Sequence, residues 1–307
     1  FRNEGMDKNH NPEFTILELY VSYKDYFWMM EMTEKLLEDL ALNINNSDSV
    51  KVGENLISFK APYPRIPIFD SIKTHTGIDI SKMNENELRT TAKKLNVEID
   101  ETMGEGKIID AIFGEKCEHH YINPTFIIDY PKSMSPLTKE HRSNPNLTER
   151  FELMINGQEL ANAYSELNNP IDQKERFEEQ LKLSKKGDNE AMFIDQDFLK
   201  ALEYGMPPTS GIGIGIDRLV MLLTNNRSIQ EVLFFPQMKP ENIKIELNEN
   251  EKQIINNLNN KGELELNILK KKSGLSNNQW DKCIKNLKKK EIINILKQSN
   301  KLFVKLI

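Results

Sequence analysis

Hydrophobic and polar residues alternate with a period of two in several short stretches of the chain. Near the start, residues 14–20, FTILELY, predict a strand with one face for the core and one polar face. Leu17 and Leu19 fall on the face expected to pack in the core, whereas Glu18 and Tyr20 fall on the other. A carboxylate and a phenol on one face indicate either a binding surface or a solvated hairpin, and this pattern alone leaves both open.

Longer stretches repeat their hydrophobic residues at three- and four-residue intervals, which predicts helices. Asp195 is expected to cap a helix that Gly205 ends, and Gly114 to end another. The predicted helices cover residues 23–42, 85–95, 104–114, 171–187 and 195–204, with one more after a glycine-rich strand within 206–225. The other predicted strands cover residues 126–130, 150–155 and 158–167 and an apolar stretch within 231–240.

These elements predict an α+β fold in two domains, residues 1–243 and residues 244–307. The first includes a small helical insertion at about residues 79–114. The second is predicted to form three helices and then a hairpin, which is the order of a winged helix. The net charge of −6 hides an asymmetry, because residues 244–307 carry 14 Lys, no Arg and 7 acidic residues. That segment is therefore +7 and residues 1–243 are −13, which favours two modules.

Composition narrows the class of protein. The hydrophobic fraction of 38% and the charged fraction of 29% are typical of a folded globular chain. No apolar run approaches the ~20 residues of a membrane span, so no membrane association is expected. Two distant cysteines, Cys117 and Cys283, predict a reducing, cytoplasmic setting. Cys117, His119 and His120 form one tight cluster without a second pair of ligands, so we expect no zinc site there.

The dipeptide Asn156-Gly157 lies between two strand-like runs and is the strongest hairpin signal in the chain. A two-residue loop pairs Met154 with Glu159 and Glu152 with Ala161, which makes the two glutamates diagonal neighbours on one face. Two converging carboxylates repel each other unless a cation or a proton lies between them. A hard divalent ion that accompanies a nucleotide phosphate fits this pair, and an exposed strand pair is the alternative.

Three further polar residues follow in the same predicted strand. Asn162, Tyr164 and Glu166 share a face with one another, and regular pleating places that face opposite Glu159. Both sets serve one site only if a bulge or strong twist falls between Glu159 and Asn162.

The stretch GIGIGIDRL, residues 211–219, alternates glycine with isoleucine, so one strand face has no side chains. It matches neither the dinucleotide fingerprint nor a P-loop. A bare strand face indicates that something approaches it closely, such as a flat ring, and a tight packing strand is the alternative. Arg218 follows at the start of a predicted helix, where anions are favoured, which indicates a phosphate partner.

Three motifs together resemble one family. FRNEG, HNPEFT and ELY within residues 1–20 resemble motif 2 of the class II aminoacyl-tRNA synthetases, in the form used by lysyl-tRNA synthetases. FELMINGQELANAYSELN resembles the metal- and lysine-binding hairpin of that family, and GIGIGIDRL resembles its motif 3. The resemblance covers residues 1 to about 240. It implies a mainly antiparallel sheet flanked by helices.

The resemblance also implies roles for individual residues. Arg2 and Arg218 would be catalytic and bind the α- and γ-phosphates of ATP, Glu4 would bind the adenine amino group, and Phe14 would stack on the adenine. The other implied ATP-binding residues are His10, Asn11, Glu159 and Gly215. Glu152 and Glu159 would hold Mg²⁺. Glu18, Tyr20, Asn162, Tyr164 and Glu166 would bind lysine, with Glu166 pairing with the ε-ammonium group.

The implied activity is that of a lysine–tRNA ligase. It would activate L-lysine with ATP to lysyl-adenylate and transfer the lysyl group to tRNA(Lys), with Mg²⁺ as cofactor. Motif 1, with its homodimer interface, and an OB-fold anticodon-binding domain are expected upstream of Phe1. One expected glutamate for the lysine α-amino group lies there too.

Two alternatives compete with this interpretation. A related enzyme would adenylate lysine and pass it to a protein, and the site residues of the first half-reaction are common to both. The FRNEG and HNPEFT motifs and the chain length favour the tRNA enzyme. A nucleic-acid-binding module with a vestigial catalytic half would have lost site residues, whereas all three motifs are intact.

The basic segment beyond residue 243 has two readings. Its KKK runs, Lys270–Lys272 and Lys288–Lys290, could contact tRNA phosphates. They could instead form a solvated surface in a segment rich in Lys, Asn and Ile, and composition favours this second interpretation.

Overall fold

The computed structural model of the chain describes residues 1–2, 5–185, 194–237, 247–259, 263–290, 292–298 and 301–306. The chain forms two compact units, Phe1–Met238 and Lys239–Ile307. The predicted boundary near residue 243 lies outside the described residues. None of the helices in the described ranges is both long enough and apolar enough to span a membrane.

The first unit contains ten strands and seven helices among its described residues. The strands are β1 (Ile16–Ser22), β2 (Ser49–Val52), β3 (Asn55–Ser58), β4 (Arg65–Pro67), β5 (Thr125–Ile128), β6 (Glu140–His141), β7 (Asn144–Thr148), β8 (Arg150–Ile155), β9 (Gln158–Ser165) and β10 (Thr209–Gly215). The helices are α1 (Tyr26–Asn45), α2 (Ile68–Thr76), α3 (Glu85–Lys94), α4 (Glu105–Lys116), α5 (Pro170–Lys185), α6 (Gln196–Glu203) and α7 (Ile216–Thr224).

Six of these strands form the central sheet, in the order β1-β10-β9-β8-β5-β4. All neighbours are antiparallel except β4 and β5, which confirms the predicted α+β fold with a mainly antiparallel sheet. The pairs β2–β3 and β6–β7 form two small separate sheets.

Strand pleating gives the central sheet two different faces. Phe151, Leu153 and Ile212 point to the face that packs against Met30 and Leu37 of α1, and this forms one hydrophobic core. The opposite face carries polar and glycine residues on β1, β10, β9 and β8. At the β5 end of the sheet, a second core joins Ile127 and Met154 to helices α2, α3 and α4. The polar face between these packed regions is therefore where a ligand can reach the sheet.

The second unit contains α8 (Glu249–Asn259), β11 (Glu263–Glu265), α9 (Leu266–Ser273), α10 (Asn277–Lys289), β12 (Ile293–Gln298) and β13 (Lys301–Leu306). Its three strands form an antiparallel sheet in the order β11-β13-β12. The helices cover this sheet with a separate core that includes Leu258, Leu269, Trp280, Leu287 and Val304. The three helices and the final hairpin follow the predicted order, and β11 is an additional strand between α8 and α9 that was predicted as part of a helix.

Three details of the first unit also differ from the sequence prediction. Helix α4 continues through Gly114 to Lys116, because this glycine adopts helical geometry. Helix α2 was not predicted, since proline disfavours a helix interior, but Pro67 lies just before its first residue, where proline is tolerated. No strand forms within residues 231–237. Ser228 and Glu231 instead form a capping box on a short 3-10 turn, and Phe234 is 96% exposed.

Candidate active site

The polar face of the sheet is organised into rows of residues that pair across strands. In one row Glu18 of β1 pairs with Gly213 of β10, Gly213 with Asn162 of β9, and Asn162 with Glu152 of β8. Residues that pair directly across strands point to the same face. The row therefore places two carboxylates and an amide around a glycine.

A second row lies beside the first. Tyr20 pairs with Gly211, Gly211 with Tyr164, and Tyr164 with Arg150. A Cβ atom on Gly211 would overlap Oε1 of Glu166 and would lie 2.8 Å from the Tyr20 ring. The sequence predicted that something approaches the bare glycine face closely. At Gly211 the approaching groups are the side chains of Glu166 and Tyr20.

The hairpin between β8 and β9 contains the predicted turn and the predicted bulge. Asn156 and Gly157 have φ values of +55° and +75°, as a type I′ turn requires. Met154 pairs with Glu159, as predicted, but Glu152 pairs with Asn162 and not with Ala161. The register shifts because β9 has one extra residue, Leu160, between Glu159 and Ala161. The regular register predicted for Glu152 was therefore wrong. A bulge does lie between Glu159 and Asn162, and it is one of the two features that the sequence required if both polar sets were to serve one site.

The rows border a cavity of about 610 Å³. Every predicted site residue that the structure describes lines this cavity. They are Arg2, His10, Asn11, Phe14, Glu18, Tyr20, Glu152, Glu159, Asn162, Tyr164, Glu166, Gly215 and Arg218. Glu4 was also predicted, and it lies outside the described residues.

Glu166 forms one end of the cavity. Its Oε1 atom is buried and has no hydrogen-bond partner among the described residues. Burial and, as a smaller cause, the charge of the nearby Glu18 together raise the pKa of this carboxyl to about 7. Tyr20 donates a hydrogen bond of 3.2 Å to Glu18 at the same end. A buried carboxylate beside a second carboxylate is expected to attract a cationic group.

Arg218 lies at the other end, in the first turn of α7. Its guanidinium donates hydrogen bonds to the carbonyl oxygen of Glu159 at 2.6 Å and to Nε2 of His10 at 3.2 Å. Nδ1 of His10 lies 2.9 Å from the Asp7 carboxylate. The backbone N–H of Thr15 donates to Asp217 at 2.6 Å, which ties the start of α7 to the segment before β1. Cationic and N–H groups thus meet at this end of the cavity.

The loop before β1 supplies the remaining predicted residues. The guanidinium of Arg2 lies 5.5 Å from the centre of the Phe14 ring, a cation–π distance. Asn11 is buried, and its side-chain amide donates to the carbonyl oxygen of Glu13 at 2.5 Å. This loop therefore brings an aromatic ring and an arginine to the cavity wall.

Glu152 and Glu159 lie between the two ends. Glu152 accepts hydrogen bonds from Arg150 at 2.5 Å, Tyr130 at 2.8 Å and Asn162 at 3.1 Å. Burial raises the pKa of Glu159, and the charge of Glu152 raises it further. Among the described residues no group of three or more His, Cys, Asp or Glu could hold a metal ion. Two carboxylate donors do fit Mg²⁺, which protein sites commonly bind through one or two carboxylates plus substrate phosphates.

Four residues beside this pair were not predicted. Arg150, Glu118 and Asp110 also line the cavity, and Tyr130 is the phenol that binds Glu152. Burial raises the pKa of Glu118 to about 7, with Glu152 as the next cause. Strand alternation from Glu152 would have placed Arg150 on the site face. Glu118 lies on a 3-10 turn after α4, where no periodic pattern reveals its direction.

The sequence was next compared with known proteins. The family of class II tRNA synthetases (D, K and N) matches residues 1–239. The chain belongs to this family. In this class II tRNA synthetase, the matched residues include the whole cavity and exclude the described elements of the winged helix.

Similar full-length proteins carry the name lysine–tRNA ligase. One, from Christiangramia forsetii, is 62% identical over 306 residues, which cover 100% of this chain and 54% of that relative. Another, from Porphyromonas gingivalis, is 71% identical over 243 residues, which cover 79% of this chain and 42% of the relative. A third, from Azobacteroides pseudotrichonymphae, is 68% identical over 243 residues, or 79% of this chain and 49% of the relative. The chain therefore spans about half the length of the curated relatives it matches.

Proposed function

We propose that the protein is a lysine–tRNA ligase, which activates L-lysine with ATP and transfers the lysyl group to tRNA(Lys). The observation that carries this proposal is the buried Oε1 atom of Glu166, which lacks a partner among the described residues. The ε-ammonium group of lysine supplies a cation and hydrogen-bond donors to such an atom. Glu18, Tyr20, Asn162 and Tyr164 line the same part of the cavity and would hold the rest of the amino acid.

The opposite end of the cavity suits ATP. Arg2 and Arg218 would bind the α- and γ-phosphates, and His10 would approach the outer phosphates. The ring of Phe14 would stack on the adenine, and Gly215 of β10 lines the same cavity. Asn11 and Glu4 complete the proposed ATP set.

Glu152 and Glu159 would hold Mg²⁺, which neutralises phosphate charge when it is bound. Arg150, Tyr130 and Asn162 each bind Glu152 and fix the direction of its carboxylate.

The proposed reaction has two steps. The lysine carboxylate attacks the α-phosphorus of ATP in line, and pyrophosphate leaves as lysyl-adenylate forms. A ribose hydroxyl of tRNA(Lys) then takes the lysyl group and releases AMP. The chain needs no covalent nucleophile for either step, because Arg2 and Arg218 can supply charge stabilisation and the cavity can supply positioning.

Two further properties belong to the proposal, a homodimeric assembly of the full-length protein and a cytoplasmic location. The low number of cysteines in the sequence supports the location.

ATP–pyrophosphate exchange in the presence of each amino acid tests the proposal. Lysine is expected to support exchange in the wild-type protein. Glu166→Gln is expected to lose it, because an amide leaves the ammonium without a counter-charge. Glu203→Gln, an exposed residue of α6, serves as the matched control and should retain wild-type exchange. Absence of lysine-dependent exchange in the wild-type protein would refute the proposal.

A second measurement separates the proposal from an enzyme that lysylates a protein. Both enzymes form lysyl-adenylate, so both support the exchange reaction. Only a tRNA ligase charges tRNA(Lys) with labelled lysine in a purified reaction. Exchange without tRNA charging would favour the protein-modifying alternative.

A further inference from the structure

Helices α9 and α10 of the second unit form a helix-turn-helix. Helix α9 ends at Ser273, and α10 begins at Asn277 after a three-residue turn. Gly274 is in the left-handed conformation, with φ of +63°, so the turn is tight. In nucleic-acid-binding helix-turn-helix motifs, the second helix is the one that contacts the nucleic acid.

The exposed face of α10 carries a stripe of lysines. Trp280, Cys283 and Leu287 of this helix are buried in the core of the unit. At 3.6 residues per turn, the residues at positions 282, 285 and 289 fall on the opposite face. All three are lysines and all three are exposed. We call Lys282, Lys285 and Lys289 the α10 stripe.

Three lysines outside α10 lie beside carboxylates. Lys252 lies 2.7 Å from Glu249, and Lys301 lies 3.0 Å from Glu265. Lys305 pairs directly with Glu263 across β13 and β11. Among the ion pairs of the described residues, none involves the α10 stripe. The three ammonium groups of the α10 stripe are therefore exposed and lie outside the ion pairs of the described residues.

The length of the α10 stripe matches the spacing of phosphates along a nucleic-acid strand. From Lys282 to Lys289 the helix rises about 10 Å, which covers roughly three phosphates of one strand at ~3.4 Å each. Lysine ammonium groups bind phosphates as point charges and release counterions when they do so.

We propose that the α10 stripe binds the phosphate backbone of tRNA. The choice of tRNA rests on the proposed function, whereas the phosphate-binding chemistry rests on the stripe alone. This assigns a role to lysines of the basic segment, only one of which, Lys289, belongs to the KKK runs. Binding is expected to be independent of base sequence, because these lysines contact the phosphates and do not contact base edges.

The test measures tRNA affinity as a function of salt, with the triple variant Lys282→Gln, Lys285→Gln and Lys289→Gln in the complete protein. The probe is a fluorescently labelled tRNA(Lys) transcript, followed by anisotropy. Loss of three phosphate contacts is expected to reduce the slope of log affinity against log salt by about two to three. The loss of affinity between about 50 mM and about 200 mM salt should then be about 20- to 40-fold smaller than in the wild type.

The matched control removes the same charge from Lys252, Lys301 and Lys305, which lie beside carboxylates. This variant should keep the wild-type slope. An equal slope in all three proteins would overturn the proposal. The proposal would also fail if the triple variant of the α10 stripe changed the binding of a labelled DNA duplex but not the binding of tRNA. Lysine-dependent ATP–pyrophosphate exchange should stay at the wild-type rate in both variants. A loss of exchange in the wild type refutes the ligase function instead, so the two failures are distinguishable.

Discussion

Glu166 is a group whose surroundings in the free protein favour its neutral form. Its carboxyl is buried, one oxygen lacks a partner among the described residues, and Glu18 lies nearby. These factors raise its pKa from 4.5 to about 7. A bound ammonium group would reverse the preference and keep the carboxylate ionised. The ionised carboxylate of Glu166 is therefore unfavourable in the free protein and is stabilised when an ammonium group binds.

Replacement of Glu166 by Gln should change how stability depends on pH. The folded chain holds this proton more tightly than the unfolded chain, so the contribution of Glu166 to stability is full below about pH 4.5 and is lost as pH rises through about 7. The difference in the free energy of unfolding between the variant and the wild type is expected to shift by roughly 1–3 kcal/mol in favour of the variant between pH 4.5 and pH 8. Urea unfolding at both pH values measures this. A difference that does not change with pH would contradict it.

Gly211 is required by the side chains around it. A methyl group there would overlap Oε1 of Glu166 and crowd the Tyr20 ring, so Gly211→Ala should raise KM for lysine at least about tenfold by displacing Glu166. KM for ATP should change little. Gly114→Ala, within α4, is the control, because its Cβ would lie at an ordinary contact distance of 3.9 Å from the nearest atom, Oε1 of Glu118, and alanine favours a helix. Steady-state exchange kinetics give both constants, and an unchanged KM for lysine in Gly211→Ala would refute this role.

At the scale of elements, the β8–β9 hairpin decides which side chains face the cavity. The extra residue Leu160 lets Glu159 and Asn162 serve the same site although regular pleating would separate them. The need for a bulge could be inferred from the sequence, because two polar sets had to meet. Its effect on the pairing of Glu152 could not, since register depends on where the extra residue falls.

Arg150 is the residue that holds this hairpin to its surroundings. It donates to Glu152 and Asn162 and also to the carbonyl oxygen of Met134 at 2.8 Å. Arg150→Gln leaves a buried carboxylate without its cation and is expected to lower the free energy of unfolding by about 3–5 kcal/mol.

Urea unfolding at neutral pH measures this loss. Lys73→Gln removes a pair between two exposed side chains and should leave stability nearly unchanged. If Arg150→Gln does not fold, Arg150→Lys, which keeps the charge, should fold with intermediate stability. A loss for Arg150→Gln no larger than that for Lys73→Gln would show that the pair is not needed.

For the whole molecule, motifs far apart in the sequence predicted one cavity. The described residues predicted from the three motifs line that cavity, and alternation on β1, β8 and β9 fixes the direction of those that lie on strands. Residues such as Glu118 and Tyr130 could not be predicted in this way. They reach the site through a short 3-10 turn and through strand ends whose directions depend on tertiary packing.

The preference for lysine over norleucine, an uncharged amino acid of similar size, tests the central claim most directly. The measured quantity is kcat/KM for ATP–pyrophosphate exchange with each amino acid, in the wild-type protein and in Glu166→Gln. A site built to pair a charge is expected to favour lysine by on the order of 10⁴. The Glu166→Gln variant should lose most of that preference. Equal preference in both proteins, or no lysine-dependent exchange in the wild type, would contradict the account.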